Sequence, residues 1–127
     1  MIWTILQVAI GGAIGASGRF LTGAAMARAF GTGFPFGTLT VNVAGSFLMG
    51  LAFVALMQRE GAPSAWFPFV MTGILGGFTT FSAFSLDLWG LFERGRLLAA
   101  GAYLGGSVAL SVAALIAGIA LARGVWG

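Results

Sequence analysis

Only nine charged residues, six Arg and the acids Glu60, Asp87 and Glu93, occur in this 127-residue chain, and they leave four apolar stretches almost uninterrupted. The stretches cover about 2–27, 37–57, 65–92 and 97–122. A helix rising about 1.5 Å per residue crosses a hydrocarbon core of about 30 Å in roughly 20 residues, so each stretch is long enough to span a bilayer. Charged residues make up 7% of the chain, where a soluble domain carries about 25%. Strands of a membrane β-barrel would alternate polar and apolar residues, and none of the four stretches does. The expected fold is all-α, with four transmembrane helices in a single small domain over 1–127. From Met1 the chain enters its first apolar stretch with no basic leader, which reads as a span rather than a cleaved signal.

The same composition removes whole classes of chemistry. There is no Cys and no His, hence no disulfide, thiol nucleophile, imidazole base or transition-metal site built on nitrogen or sulfur. Three scattered acids assemble no acid–base pair, so an enzyme is not expected. The net charge of +3 comes from arginines dispersed beside the spans, a pattern that does not suit nucleic acid.

Within this frame the third stretch is unusual. As one straight helix, 65–92 would be roughly 40 Å long, more than the bilayer needs. At its centre lies Gly73-Ile-Leu-Gly-Gly-Phe-Thr-Thr-Phe-Ser-Ala-Phe-Ser85. Gly76 and Gly77 each cost about 1 kcal/mol relative to Ala in a helix interior. The hydroxyls of Thr79, Thr80, Ser82 and Ser85 compete with the backbone for hydrogen bonds. The pattern predicts a helix broken near 75–80. Freed carbonyls at Gly76-Gly77 and Thr79-Thr80 are candidate ligands for a hard cation, and the restarted half-helix turns a positive dipole end toward the break.

Polar residues elsewhere fall into stripes. Thr38, Asn42 and Ser46 recur at every fourth position of the second stretch, and Tyr103, Ser107 and Ser111 do the same in the fourth. Two such stripes suggest a lined path, although Asn42 alone would also suit a helix-to-helix hydrogen bond. Phe81 and Phe84 share a face of the third span. Their ring edges, which carry positive hydrogens, suit a small anion, and core or lipid packing is the alternative. Arg19, near the end of the first span, either snorkels to the headgroups or holds a fixed positive charge at a pore mouth. Gly11 and Gly15 make a small-residue pair that admits another helix closely. Arg59 and Arg123 fall at one membrane face, with Arg28, Arg94 and Arg96 at the other. So weak a bias is compatible with insertion in either orientation, and with opposed copies pairing about an axis in the membrane plane.

Three blocks carry a resemblance that covers all four spans: Gly12-Ala-Ile-Gly-Ala-Ser-Gly-Arg19, Gly37-Thr-Leu-Thr-Val-Asn-Val-Ala-Gly45 and Thr72-Gly-Ile-Leu-Gly-Gly-Phe-Thr-Thr-Phe-Ser-Ala-Phe-Ser85. The chain resembles the Fluc (CrcB) family of fluoride channels. The resemblance implies an antiparallel, dual-topology homodimer in the cytoplasmic membrane of a prokaryote, passively exporting toxic fluoride through two pores. It implies that Phe81 and Phe84 form a box of aromatic edges and that Asn42 donates its amide to fluoride. Thr38, Ser82, Tyr103, Ser107 and Ser111 would belong to, or adjoin, a polar track, with Arg19 in the aqueous vestibule. It further implies a structural sodium ion, Na+, at the dimer centre, held by backbone carbonyls of Gly76 and Thr79. Ala83 departs from the family pattern, which often has Thr there, and removes one hydroxyl beside the track. A proton-coupled drug exporter of the small four-helix, dual-topology type is the alternative. That mechanism needs a carboxylate in the path, and the first acid is Glu60, in a loop. A non-transporting scaffold, its glycines serving packing alone, is a third reading.

Overall fold

The computed structural model describes residues 1–58 and 63–126. Arg59, placed above at one membrane face, and Glu60, placed in a loop, lie outside the described residues. Four helical segments are long and apolar enough to cross a membrane: Ile2–Phe30, Phe36–Gln58, Pro68–Glu93 and Leu97–Val125. The first is helix α1 (Ile2–Phe30). The second comprises α2 (Phe36–Ala52) and a wider π-helical end, Phe53–Gln58. The third begins as a π-helix over Pro68–Leu75, closes with the single turn α3 (Gly76–Phe78), and restarts as α4 (Ser82–Glu93). The fourth is α5 (Leu97–Trp126).

Local chemistry accounts for the ends. Gly31, at φ 79°, stops α1 in a left-handed conformation that glycine adopts without strain, and its N–H closes on Ala27 O at 2.8 Å. Pro35 precedes α2, and Pro68 sits in the first turn of its segment, where its missing N–H costs nothing. Gly95, at φ 76°, makes the tight turn between α4 and α5. Arg96 donates from Nη1 to Gly33 O, and Arg123 donates from Nε and Nη2 to Gln58 Oε1 at 3.3 and 3.2 Å. The first pair joins the α1–α2 and α4–α5 connections at one face; the second ties α5 to the end of the second span at the other.

Packing divides the bundle into two parallel pairs. Along α1, Gly11 and Gly15 face the third span so closely that an added Cβ would collide with backbone of Phe69, Gly73 and Ile74. Gly77 answers from the other side, its missing Cβ leaving room for Gly12 O and Ala16 N. The small-residue pair read from the sequence therefore seats the first half of the third span. The second pair is α2 with α5, where Gly50 lies against Leu115 and Gly118, and Gly118 against Phe47 and Leu51.

A modest core of Phe84, Leu91, Ala100 and Tyr103 joins α4 to α5, with Phe34, Leu39 and Leu88 against it. Large apolar side chains cover the outside, including Ile10, Ile14, Leu48, Leu104 and Ile116. An exterior of this kind is stable where the surrounding solvent is hydrocarbon.

The break falls at 79–81, at the end of the expected 75–80, with the Thr80 hydroxyl taking a backbone N–H as expected; the glycines' part in it differs from the expectation. Gly76 and Gly77 are helical, and Gly76 has ordinary α geometry at φ −64°, ψ −37°. The chain leaves the helix at Thr79 (φ −88°, ψ 160°) and re-enters it at Ser82. Gly77 serves the approach to α1, Gly76 meets only Met71 O of its own span, and the interruption follows them.

Candidate anion groove at the broken helix

Every side of the break is held by a side chain from elsewhere in the bundle. Asn42, half-buried on α2, grips the Thr80 peptide twice. Its Nδ2 donates to Thr80 O at 2.9 Å, and its Oδ1 accepts from Thr80 N at 2.8 Å. One of the two Nδ2 protons is thereby used and one remains. Thr80 Oγ1 accepts from Ala83 N at 3.1 Å, capping the start of α4, and lies 3.4 Å from Ser82 Oγ. Thr79 N and Thr79 Oγ1 both donate to Leu75 O at 3.0 Å, finishing the first half. From α1, Arg19 Nε donates to Gly77 O at 3.1 Å. Gly45 leaves the space that the Thr79 methyl and the Phe78 ring occupy.

Beside the break runs a groove of about 430 Å³ whose lining includes Asn42, Ser46, Phe81, Phe84, Ser107 and Ser111. Five of the site residues read from the sequence therefore meet in one place, with Ser46 of the first stripe beside them. The Phe81 and Phe84 rings lie 5.6 Å apart at 46°. Phe84 is buried against Tyr103, whereas Phe81 is 77% exposed. Ser107 is 5% exposed, and its hydroxyl has no hydrogen-bond partner among the described residues. A buried hydroxyl without a partner costs about 1–3 kcal/mol, and this one lines the groove with no partner among the described residues.

Thr79 also lines this groove, and the remaining expected pathway residues, Arg19, Thr38, Ser82 and Tyr103, lie outside it. Arg19 and Thr38 line a second cavity of about 310 Å³ on the far side of the break, together with Thr80 and Ala83. Thr38 Oγ1 donates to Asp87 Oδ2 at 2.6 Å, and Tyr103 Oη donates to the same oxygen at 3.3 Å. Ser82 is exposed at the first position of α4. Asp87, which sequence reasoning gave no place in the track, lines neither cavity and instead holds Thr38 and Tyr103 away from the groove. Its only signal was an acid inside an apolar span, which on its own marks a functional position.

Carbonyl oxygens at the break form a distinct feature. Arg19 occupies Gly77 O and Asn42 occupies Thr80 O. The oxygens of Gly76 and Thr79 have lost their helical donors, Thr80 N–H and Ala83 N–H, to Asn42 and Thr80 Oγ1. Neutral carbonyl oxygens are the ligand type that a hard cation takes, so this donor set fits sodium.

Four short-looped helices, a span interrupted at its centre and a groove of neutral donors beside the interruption define a small membrane protein built for ion passage rather than catalysis. Comparison with known proteins gives the family. The model of the CrcB-like protein (camphor resistance, CrcB) family matches residues 6–119. A protein of Cereibacter sphaeroides named fluoride-specific ion channel FluC is 56% identical over 124 residues, covering 98% of each chain. A FluC protein of Ruegeria sp. is 58% identical over 126 residues, again covering 98% of each, and FluC 2 of Nitrobacter hamburgensis is 53% identical over 118. This chain belongs to the CrcB/FluC family.

Proposed function

We propose that this protein is a fluoride-selective ion channel of the cytoplasmic membrane, passing fluoride passively out of the cell and so relieving its toxicity. The observation that carries this reading is the meeting of neutral donors and aromatic edges in one groove. Asn42 keeps an amide proton, Ser107 a free hydroxyl, and Phe81 and Phe84 stand as a tilted pair. A small, strongly hydrated anion gives up its water only where many donors replace it, and such donors hold it without the trap of a fixed positive charge. Ring edges contribute positive hydrogens, and the N-terminal end of α4 adds a positive dipole. An inside-negative potential drives the anion outward with about 2.3 kcal/mol per 100 mV.

Two further features belong to the same proposal. The working unit is an antiparallel homodimer, in which a second copy covers the exposed Phe81 and Gly76 and completes each pathway. The Gly76 and Thr79 carbonyls of both copies would hold a sodium ion between them. When bound, the ion offsets the negative ends of these carbonyl dipoles and ties the two breaks together. The support is the pair of carbonyls stripped of helical donors, polar groups that a bilayer leaves unsatisfied unless protein, water or an ion covers them.

A proton-coupled exporter would need a carboxylate on the path. Asp87 is engaged with Thr38 and Tyr103 and does not line the groove. A bacterium without its own fluoride exporter tests the proposal. Carrying this gene, it should grow at fluoride concentrations that arrest cells with empty vector, and Asn42→Ala should abolish the rescue with protein still in the membrane. Equal arrest with and without the wild-type gene would contradict the proposal.

A further inference from the structure

The hydrogen bonds missing from the break have been reassigned, and the reassignment is selective. In an unbroken helix Thr80 N–H closes on Gly76 O, and Ala83 N–H on Thr79 O. Here Asn42 Oδ1 takes the first N–H at 2.8 Å, and Thr80 Oγ1 takes the second at 3.1 Å. The neighbouring oxygens are treated in the opposite way. Gly77 O is closed by Arg19 Nε at 3.1 Å, and Thr80 O by Asn42 Nδ2 at 2.9 Å. Side chains thus shut the Gly77 and Thr80 carbonyls and take the helical donors from those of Gly76 and Thr79.

We infer that Asn42 and Thr80 are positioning residues for the cation, an inference that rests on the sodium reading above. By withdrawing the helical donors of Gly76 and Thr79, they present those two oxygens as ligands. Arg19 and Asn42 keep Gly77 and Thr80 out of the set. Asn42 then belongs to two sites at once. Its Oδ1 side prepares the cation ligands, while its second amide proton is uncommitted on a residue that lines the anion groove. Cation and anion are coupled through one amide, and such coupling acts equally in both directions.

Thermal unfolding of the purified, detergent-solubilised protein in rising sodium chloride, with ionic strength held by N-methyl-D-glucamine chloride, tests this. Wild type should be stabilised saturably by sodium, and Thr80→Ser, which keeps the hydroxyl, should show the same midpoint within about twofold. Thr80→Val and Asn42→Leu should each need about tenfold more sodium, the factor that one competing backbone hydrogen bond supplies. The two aliphatic variants act on different hydrogen bonds, so either decides the matter should the other not fold. A folded Thr80→Val or Asn42→Leu with the wild-type midpoint overturns the inference and leaves the sodium site standing. Wild type indifferent to sodium overturns the sodium reading and this inference with it.

Discussion

Thr38 and Asp87 are joined across the second and third spans, the Thr38 hydroxyl donating to Asp87 Oδ2 at 2.6 Å. The Tyr103 hydroxyl reaches the same oxygen, so one carboxylate ties three spans together. Tyr103 is buried, with Phe34 edge-on at 5.4 Å and Phe84 tilted at 5.0 Å. Through Tyr103 the knot also holds Phe84, a wall of the anion groove.

Asp87→Asn should therefore lower stability by about 1–3 kcal/mol, since hydrogen bonds to a charged acceptor are roughly twice as strong as neutral ones. In a double-mutant cycle with Thr38→Val the effects should fall short of additivity by about 1 kcal/mol. Unfolding in detergent measures both, and strictly additive losses would show that the two groups do not act together.

Ser107→Ala separates transport from folding. Removing a buried hydroxyl that has no partner among the described residues should leave stability unchanged or raise it by about 1 kcal/mol. If that hydroxyl is a donor to the passing anion, fluoride flux should fall by about tenfold. Unfolding and vesicle efflux, run on the same preparation, check the two expectations separately. Lost stability with unchanged flux would make Ser107 a packing residue.

Two glycines of α1, Gly15 of the small-residue pair and Gly18 one turn on, meet different surroundings. Gly15→Ala would drive its Cβ into the backbone of Ile74 and Phe78 and should cost about 3 kcal/mol or more. Gly18→Ala meets only the Phe78 ring at 3.5 Å, ordinary contact, and should be neutral or stabilising by up to about 1 kcal/mol from helix propensity. The two thermal midpoints, compared directly, decide it.

Phe81 and Phe84 should respond differently to the same change. Phe84→Ile removes a buried ring from the Tyr103 cluster and should lower stability by about 1–3 kcal/mol as well as flux. Phe81→Ile, on a side chain 77% exposed in one copy, should lower flux with a smaller effect on the folding of the chain. Equal losses of stability would place both rings in one core.

The four spans were legible because apolar length and the position of charges are one-dimensional signals. The polar stripes were legible for a similar reason, and Asn42, Ser46, Ser107 and Ser111 do share a groove. What the stripes hid is their third dimension. Thr38 and Tyr103 turn to Asp87, a partner in another span that no local spacing announces. The break was legible as an event, and so was the hydroxyl competition that Thr80 supplies, but the part of the glycines and of Asn42 was not. A glycine pair in a membrane span reads alike whether it interrupts a helix or admits a neighbour, and Gly77 does the second. The other agent, Asn42 gripping the Thr80 peptide, is a side-chain-to-backbone pairing across 38 residues and has no sequence signature.

The central claim is that the groove beside the broken third span suits fluoride and rejects larger halides. Purified protein in liposomes loaded with potassium fluoride or potassium chloride, opened to potassium with valinomycin and followed by ion-selective electrodes, measures this directly. The account predicts rapid fluoride release and chloride release no faster than from protein-free vesicles. Equal release of the two halides, or fluoride release at the protein-free rate with folded protein present, would contradict it.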